Sequence, residues 1–101
     1  MKTLHLIVHE ELLHEMPNFA DADMLDRIDK IKKNEKNVAY IPWFGGDNTM
    51  TFDFAYFALP AAKGFDLVIL YGISRVVCVD STAEILQEAG IPTAYDIVGT
   101  S

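Results

Sequence analysis

The 101-residue sequence has a single cysteine, few basic residues and no long apolar run. One cysteine excludes an intramolecular disulfide, so the expected compartment is the reducing cytoplasm. Lys and Arg total 8 against 15 Asp and Glu, and the net charge of -7 gives the chain no electrostatic reason to bind nucleic acid. No apolar stretch approaches the ~20 residues of a membrane span, and the N-terminus lacks the pattern of a signal peptide. We therefore expect neither a nucleic-acid nor a membrane partner.

The hydrophobic pattern predicts one domain over residues 1–101. Half of the residues are hydrophobic, which is enough for a packed core. Four short apolar runs are typical of buried strands. These runs are Thr3–Val8, Val38–Trp43, Leu67–Tyr71 and Ile91–Val98. Apolar residues at helical spacing predict a helix over Asp21–Lys33, and a second helical pattern ends before Gly90.

The alternation of strands and helices predicts a three-layer α/β/α fold with a mostly parallel sheet of about four strands. Because crossover connections are right-handed, we expect the strands in the order 2-1-3-4, numbered along the chain. Thr3–Val8 and Leu67–Tyr71 would then be adjacent central strands. Their carboxyl ends would form the edge where open α/β sheets place their sites.

Two segments are harder to assign. Glu10–Asn18 is predicted to be irregular. Thr51–Leu59 fits either a helix or an alternating strand, and we favour a helix that kinks at, or restarts from, Pro60 and is closed by Gly64. The alternative is a hairpin that turns at residues 45–48.

The start of the last helix also has two interpretations. Ser81-x-x-Glu84 is a capping box, which would leave Val76–Val79 as a strand, as propensity favours. Alternatively, Ser74 caps a helix that already contains Cys78.

Residues 72–83 read Gly-Ile-Ser-Arg-Val-Val-Cys-Val-Asp-Ser-Thr-Ala. This segment resembles the Gly-Val-x-x-x-x-Cys-Val-x-x-Thr-Ala nucleophile segment of the isochorismatase-like cysteine hydrolases, a family that includes nicotinamidases. The similarity extends over residues 63–71 and 88–92, and Asp96 falls near an acidic residue common in the family. Together these segments cover about a third of the chain.

The resemblance implies a hydrolase of the C–N bond of a small amide, with Cys78 as the nucleophile and without a cofactor. It also implies a helix from about Ser74 to Ala89, with Cys78 in its first turn. A helix N-terminus lowers the pKa of a thiol because it stabilises the thiolate.

The family uses three catalytic residues: Cys, Lys and Asp. Its Lys and Asp have no counterpart in this sequence. The family's Asp ends the first strand, where this chain has His9 followed by Glu10. Its Lys lies in a segment that is shortened here to Phe44–Thr51 and contains no lysine. The resemblance therefore implies a reduced member, in which His9 or Glu10 would take the proton of the Cys78 thiol.

Four residues are candidates for binding the substrate. They are Trp43, Phe44, Arg75 and Val77. Backbone N–H groups near Val77 and Cys78 would hold the oxyanion. Arg75 is the nearby cation that could replace the family's missing lysine. Trp43 and Phe44 are either core residues or an exposed patch for a partner.

A second class of function fits the same residues. Cys78 can instead be a small buried hydrophobic residue. The absence of the family's Asp and Lys then fits a non-catalytic binding or assembly module. The spacing of His5, His9 and His14 matches no zinc signature, so no metal site is expected. A small-molecule ligand is the expected partner, and the aromatic content of this small acidic chain is compatible with a homodimer.

Overall fold

The computed structural model describes residues 1–13, 15, 20–42, 56–73 and 78–100. Strands and helices alternate through these ranges. In chain order they are β1 (Thr3–Val8), α1 (Glu10–Leu13), α2 (Ala22–Asn34), β2 (Val38–Ile41), α3 (Ala58–Ala62), β3 (Leu67–Gly72), α4 (Asp80–Glu88) and β4 (Thr93–Thr100). None of the helices in these ranges has both the length and the apolar character needed to cross a membrane.

The described strands form one parallel sheet in the order β2-β1-β3-β4. The predicted α/β class and strand order are therefore confirmed, as is the prediction that β1 and β3 are adjacent central strands. In the register of the sheet, Val8 at the end of β1 lies opposite Ile41 of β2 and Gly72 of β3. The carboxyl ends of three strands consequently meet at one edge.

Alternate residues of the central strands belong to different apolar clusters, because successive side chains of a strand point to opposite faces. One cluster joins β1 and β3 to α3, α4 and the residues before α4. It contains Leu4, Leu6, Val8, Ile41, Ala58, Ala62, Val68, Leu70, Cys78, Val79, Ala83 and Leu86. The other joins the same strands to α1 and α2 through Ile7, Leu13, Ala20, Met24, Ile28, Ile31, Tyr71 and Ile73. Helices on both faces of the sheet, as in the predicted three-layer arrangement, would produce two such clusters.

The helix α2 matches the predicted Asp21–Lys33 to within one residue at its C-terminal end. Asp21 is the N-cap, and its carboxylate accepts a hydrogen bond of 2.8 Å from the Met24 N–H. This bond satisfies one of the N–H groups that lack partners in the first turn of a helix. The buried stripe of Met24, Ile28 and Ile31 then anchors the helix to the sheet.

The prediction of an irregular segment after β1 is wrong at its start, where α1 forms. His9 adopts a left-handed backbone conformation with φ 55°, which ends the strand, and the Leu12 N–H donates to the His9 carbonyl at 3.0 Å. Glu10 and Glu11 lie in the first turn, where carboxylates suit the helix dipole, and Leu13 is buried. A four-residue helix with a single buried anchor leaves too short a pattern to be recognised in the sequence.

The helix α3 confirms the favoured helical interpretation over residues 58–62, but it begins two residues before Pro60 rather than at it. In the first turn of a helix the missing N–H of proline costs no hydrogen bond. Gly64 follows in a left-handed conformation with φ 87°, as expected of a glycine that closes a helix. Residues 51–55 and the alternative hairpin turn at 45–48 lie outside the described residues.

Several strand boundaries differ from the predicted ones by one or two residues, including the end of β4, which is Thr100 rather than Val98. Within the described residues β2 ends at Ile41, before a proline, and Trp43 lies outside them. β4 starts at Thr93 rather than Ile91, because Pro92 has no N–H to give to the sheet and joins it only through its carbonyl, which accepts from Val68 at 3.0 Å.

A bulge of several residues interrupts β4. Tyr95 lies opposite Leu70 and Thr100 opposite Gly72, so residues 96–99 of β4 face the single residue Tyr71 of β3. The Asp96 carboxylate holds the bulge by accepting from the Gly99 N–H at 2.8 Å and from Arg27 of α2 at 2.9 Å. The bulge therefore connects the edge of the sheet to α2.

Candidate functional site

The candidate site lies at the carboxyl ends of the two central strands, which approach each other closely. Gly72 has a φ of 114°, and a Cβ atom built on it would lie 2.1 Å from the carbonyl oxygen of Val8. Only glycine fits this contact, because other residues rarely adopt such a φ and their Cβ would collide with backbone. His9 directly follows Val8, and the chain leads from Gly72 to Cys78 within six residues.

His9 is completely buried at the end of β1, and its N–H donates to the Ile41 carbonyl at 2.9 Å. Burial lowers the pKa of its imidazole below the ordinary value of 6.5, since desolvation disfavours the charged form. The charge of Glu11 and backbone hydrogen bonds at Ile41 and Pro42 raise the pKa in part. The net effect keeps the ring neutral at neutral pH, the form in which an imidazole accepts a proton.

Cys78 lies in helical backbone immediately before α4, together with Val79. The turn that these two residues form is of the wide, π type, which occurs mostly as single turns within α-helices. The alternative in which Val76–Val79 is a strand is therefore wrong at positions 78 and 79, and the helix implied by the resemblance is confirmed from Cys78 onward. Its start at Ser74 lies outside the described residues.

The Cys78 side chain is 6% exposed and belongs to the apolar cluster that also contains Val8 and Ile41. His9 directly follows β1, and Cys78 comes six residues after the end of β3, so each residue follows the carboxyl end of a central strand. This placement follows the prediction that both residues come at the carboxyl ends of adjacent central strands.

Two side-chain hydrogen bonds hold the start of α4. The Thr82 hydroxyl donates to the Cys78 carbonyl at 2.9 Å, and Thr82 is completely buried. On the outer side, the Tyr95 hydroxyl donates to the Asp80 carboxylate at 2.6 Å. Sequence reasoning missed both, although a threonine four residues after Cys78 is the signal for a hydroxyl that bonds back to the preceding turn.

Glu10 lies on the side of the sheet that carries α2. Its carboxylate forms an ion pair with Lys32, and this contact raises the pKa of the lysine. Both residues line a cleft between α1 and α2, together with Leu13, Leu25, Asp26, Ile28 and Asp29. Glu10 and Cys78 are therefore associated with different helices.

Four predicted residues, Trp43, Phe44, Arg75 and Val77, lie outside the described residues, so their roles in binding remain predictions. Within the ranges that the structure describes, no three His, Cys, Asp or Glu side chains are grouped so that they could hold a metal ion.

A polar network on the α2 side was not predicted. Tyr71 is buried, and its hydroxyl shares a hydrogen bond of 2.8 Å with Nδ1 of His5, whose Nε2 lies 3.6 Å from the Glu35 carboxylate. Burial raises the pKa of Tyr71 to about 12, with a further contribution from the negative charge of Asp96. The network satisfies a buried hydroxyl within the core, which explains why a histidine occupies the middle of β1.

Comparisons with protein-family models, with curated proteins and with solved structures found no match for this chain. The likeness to isochorismatase-like hydrolases therefore rests on the sequence motif around Cys78.

Proposed function

We propose that this chain is a reduced isochorismatase-like hydrolase that cleaves the C–N bond of a small amide, with Cys78 as the nucleophile and His9 as the base. One observation carries the proposal. A buried histidine whose pKa is lowered, and a cysteine at a helix start, follow two adjacent parallel strands and lie at the same end of the sheet. Open α/β sheets place their reactive groups at this end.

The proposed reaction begins when the neutral imidazole of His9 takes the proton of the Cys78 thiol. The thiolate attacks the amide carbonyl carbon, and backbone N–H groups of Val77 and Cys78 stabilise the oxyanion. The C–N bond then breaks, the imidazolium returns its proton to the leaving nitrogen, and a thioester remains on Cys78. Water, activated by His9, hydrolyses the thioester and restores the thiol.

The remaining predicted residues have supporting roles in this proposal. Arg75 replaces the family's lysine as the nearby cation, and Trp43 and Phe44 line the substrate site.

Between the two candidate bases, the surroundings favour His9. The Glu10 carboxylate is already paired with Lys32, and the two line a cleft with residues of α2. Cys78 instead belongs to the cluster formed with α3 and α4. A base must come within hydrogen-bonding reach of the thiol, directly or through one water, and Glu10 would have to leave its ion pair to do so.

The proposal is tested by measuring ammonia release from a panel of small carboxamides. Wild type and Cys78→Ala are compared, and unfolding by urea is followed for both to confirm that they are equally folded. We expect turnover by the wild type and none by Cys78→Ala, because the variant has no nucleophile. Equal rates for the two proteins would end the proposal.

The second candidate is a non-catalytic binding or assembly module on the same fold. The burial of Cys78 favours it, since a thiol that is 6% exposed is largely shielded from a substrate. The discriminating measurement is alkylation by iodoacetamide at neutral pH. A thiolate poised for attack reacts quickly with this reagent, whereas an inert buried thiol reacts slowly.

The proposal also includes a cytoplasmic location, a small-molecule ligand and a homodimer. The location follows from the single cysteine, which is expected to stay reduced there. Sedimentation velocity over a range of concentrations measures whether two copies associate. A constant monomer mass would refute the homodimer and leave the hydrolase untouched.

A further inference from the structure

The hydrogen bond from the Thr82 hydroxyl to the Cys78 carbonyl is buried. Thr82 has no exposed surface, and its hydroxyl donates to the carbonyl of the proposed nucleophile at 2.9 Å. It lies on the inner face of α4, in line with the buried residues Ala83 and Leu86. A buried hydroxyl needs a hydrogen bond to offset its desolvation, whereas an apolar side chain of the same shape needs none.

Packing alone would be served as well by valine, which has nearly the shape of threonine. A β-branched residue carrying a hydroxyl also lowers helix propensity slightly and often bends a helix by bonding to the carbonyl four residues earlier. What the hydroxyl adds is therefore control over the backbone at Cys78. The hydroxyl acts on the wide turn at Cys78 and Val79, immediately before α4. The N-cap of that helix, Val79, contributes no side-chain hydrogen bond.

We propose that Thr82 is a positioning residue for Cys78. Its hydroxyl fixes the Cys78 carbonyl, and with it the direction of the Cα–Cβ bond, so that the sulfur is held at the carboxyl edge of the sheet near the N-terminal end of the helix. Without the bond the wide turn can relax, and the sulfur can pack more deeply into the apolar cluster to which Cys78 already belongs, where a thiolate is disfavoured. The inference rests on the proposed function, because it assigns Thr82 a role in preparing the nucleophile.

The hydrogen bond between Tyr95 and Asp80 supports this view of the turn. It holds the outer side of the first turn of α4 against β4 at 2.6 Å, while Thr82 holds the inner side. Asp80, two residues after Cys78, is thereby anchored to β4.

The test measures the rate constant for alkylation of Cys78 by iodoacetamide across a pH series. The proteins are wild type, Thr82→Val, Thr82→Ser and the matched control Thr93→Val, each under native conditions. Thr93 also loses a side-chain hydrogen bond in its variant, the 2.8 Å bond from Gln87, but that residue is remote from the start of α4. Thr82→Ala serves as the second variant if Thr82→Val does not fold. Urea unfolding of every variant separates local effects from global stability.

We expect Thr82→Val to react about fivefold more slowly at neutral pH, the factor that corresponds to one net hydrogen bond. Its pH profile should move toward that of an ordinary thiol. Thr82→Ser, which keeps the hydroxyl, and Thr93→Val should both follow the wild type. Either a Thr82→Val profile that superimposes on the wild type, or a Thr82→Ser profile as altered as that of Thr82→Val, would overturn the inference.

This outcome is independent of the outcome for hydrolysis. If Cys78→Ala releases ammonia as fast as the wild type, the hydrolase proposal fails, while the alkylation profiles still decide the influence of Thr82 on the thiol. If the profiles do not respond to Thr82, the positioning role fails and the hydrolase proposal stands on its own test.

Discussion

Removing the hydroxyl of Tyr71 is expected to change how the stability of this protein depends on alkaline pH. Tyr71 is 1% exposed, and burial raises its pKa from 10.0 to about 12. Because the pKa in the folded state lies above that in the unfolded state, the folded protein retains this proton while the unfolded chain loses it. The resulting contribution to stability is complete below pH 10 and is lost as the pH rises toward 12.

The size of the effect follows from the two pKa values. With 10.0 for the unfolded chain and about 12 for the folded one, linkage predicts that the wild type loses about 0.4 kcal/mol by pH 10 and about 1.4 kcal/mol by pH 11. Tyr71→Phe has no such group. At neutral pH the variant is expected to be less stable by about 1 kcal/mol, since it lacks the hydrogen bond to His5. The two stability curves should therefore cross between pH 10 and pH 11.

Urea unfolding measured from about pH 8 to pH 11 tests this expectation, as the difference between variant and wild type. Titration of lysines and of the other tyrosines is common to both proteins and cancels in that difference. Tyr40→Phe is the matched control, because it removes the hydroxyl of a tyrosine that is 46% exposed rather than buried. Parallel curves for Tyr71→Phe and wild type over the whole range would refute the reasoning from burial.

Two further outcomes follow from His9 and Gly72. His9→Asn should make the stability of the protein less sensitive to acid below pH 6.5, because the lowered pKa of buried His9 gives stability that is complete above that pH and lost below it. Asparagine is chosen because it tolerates the φ of 55°. Urea midpoints that depend on pH in the same way for both proteins would contradict this expectation. Gly72→Ala should lower the free energy of unfolding by about 3 kcal/mol or more, because its Cβ would meet the Val8 carbonyl at 2.1 Å. Gly90→Ala, at φ 81° with open space around it, should lose only about 1 kcal/mol, and similar losses for the two variants would contradict the close approach.

Elements with a strong local pattern were predictable from the sequence. The helix α2 carries its own cap at Asp21 and its own apolar stripe, so both of its ends were found to within one residue. The order of the strands followed from the handedness of crossovers, which does not depend on any particular side chain. His9 directly follows β1 and Cys78 comes six residues after β3, so their positions after the two central strands could also be read from the sequence.

Features that depend on contacts between distant residues were not predictable. The bulge in β4 needs the carboxylate of Asp96 to meet Arg27, which is 69 residues away in the chain. The network of Tyr71, His5 and Glu35 likewise joins two strands and the end of a helix. Neither set of residues forms a pattern of its own in the sequence, because each contact exists only once the sheet and α2 have packed together.

The choice between His9 and Glu10 shows how a single backbone angle can decide a chemical role. In an extended strand, residues 9 and 10 would point to opposite faces, and a shift of one residue would exchange them. The left-handed conformation of His9 ends β1 at Val8 and makes Glu10 the first residue of α1. Glu10 then meets Lys32 of α2, while His9 stays buried against the end of β2. We therefore propose His9, rather than Glu10, as the base that acts on Cys78, and the proposed reaction should follow the protonation of an imidazole rather than that of a carboxylate.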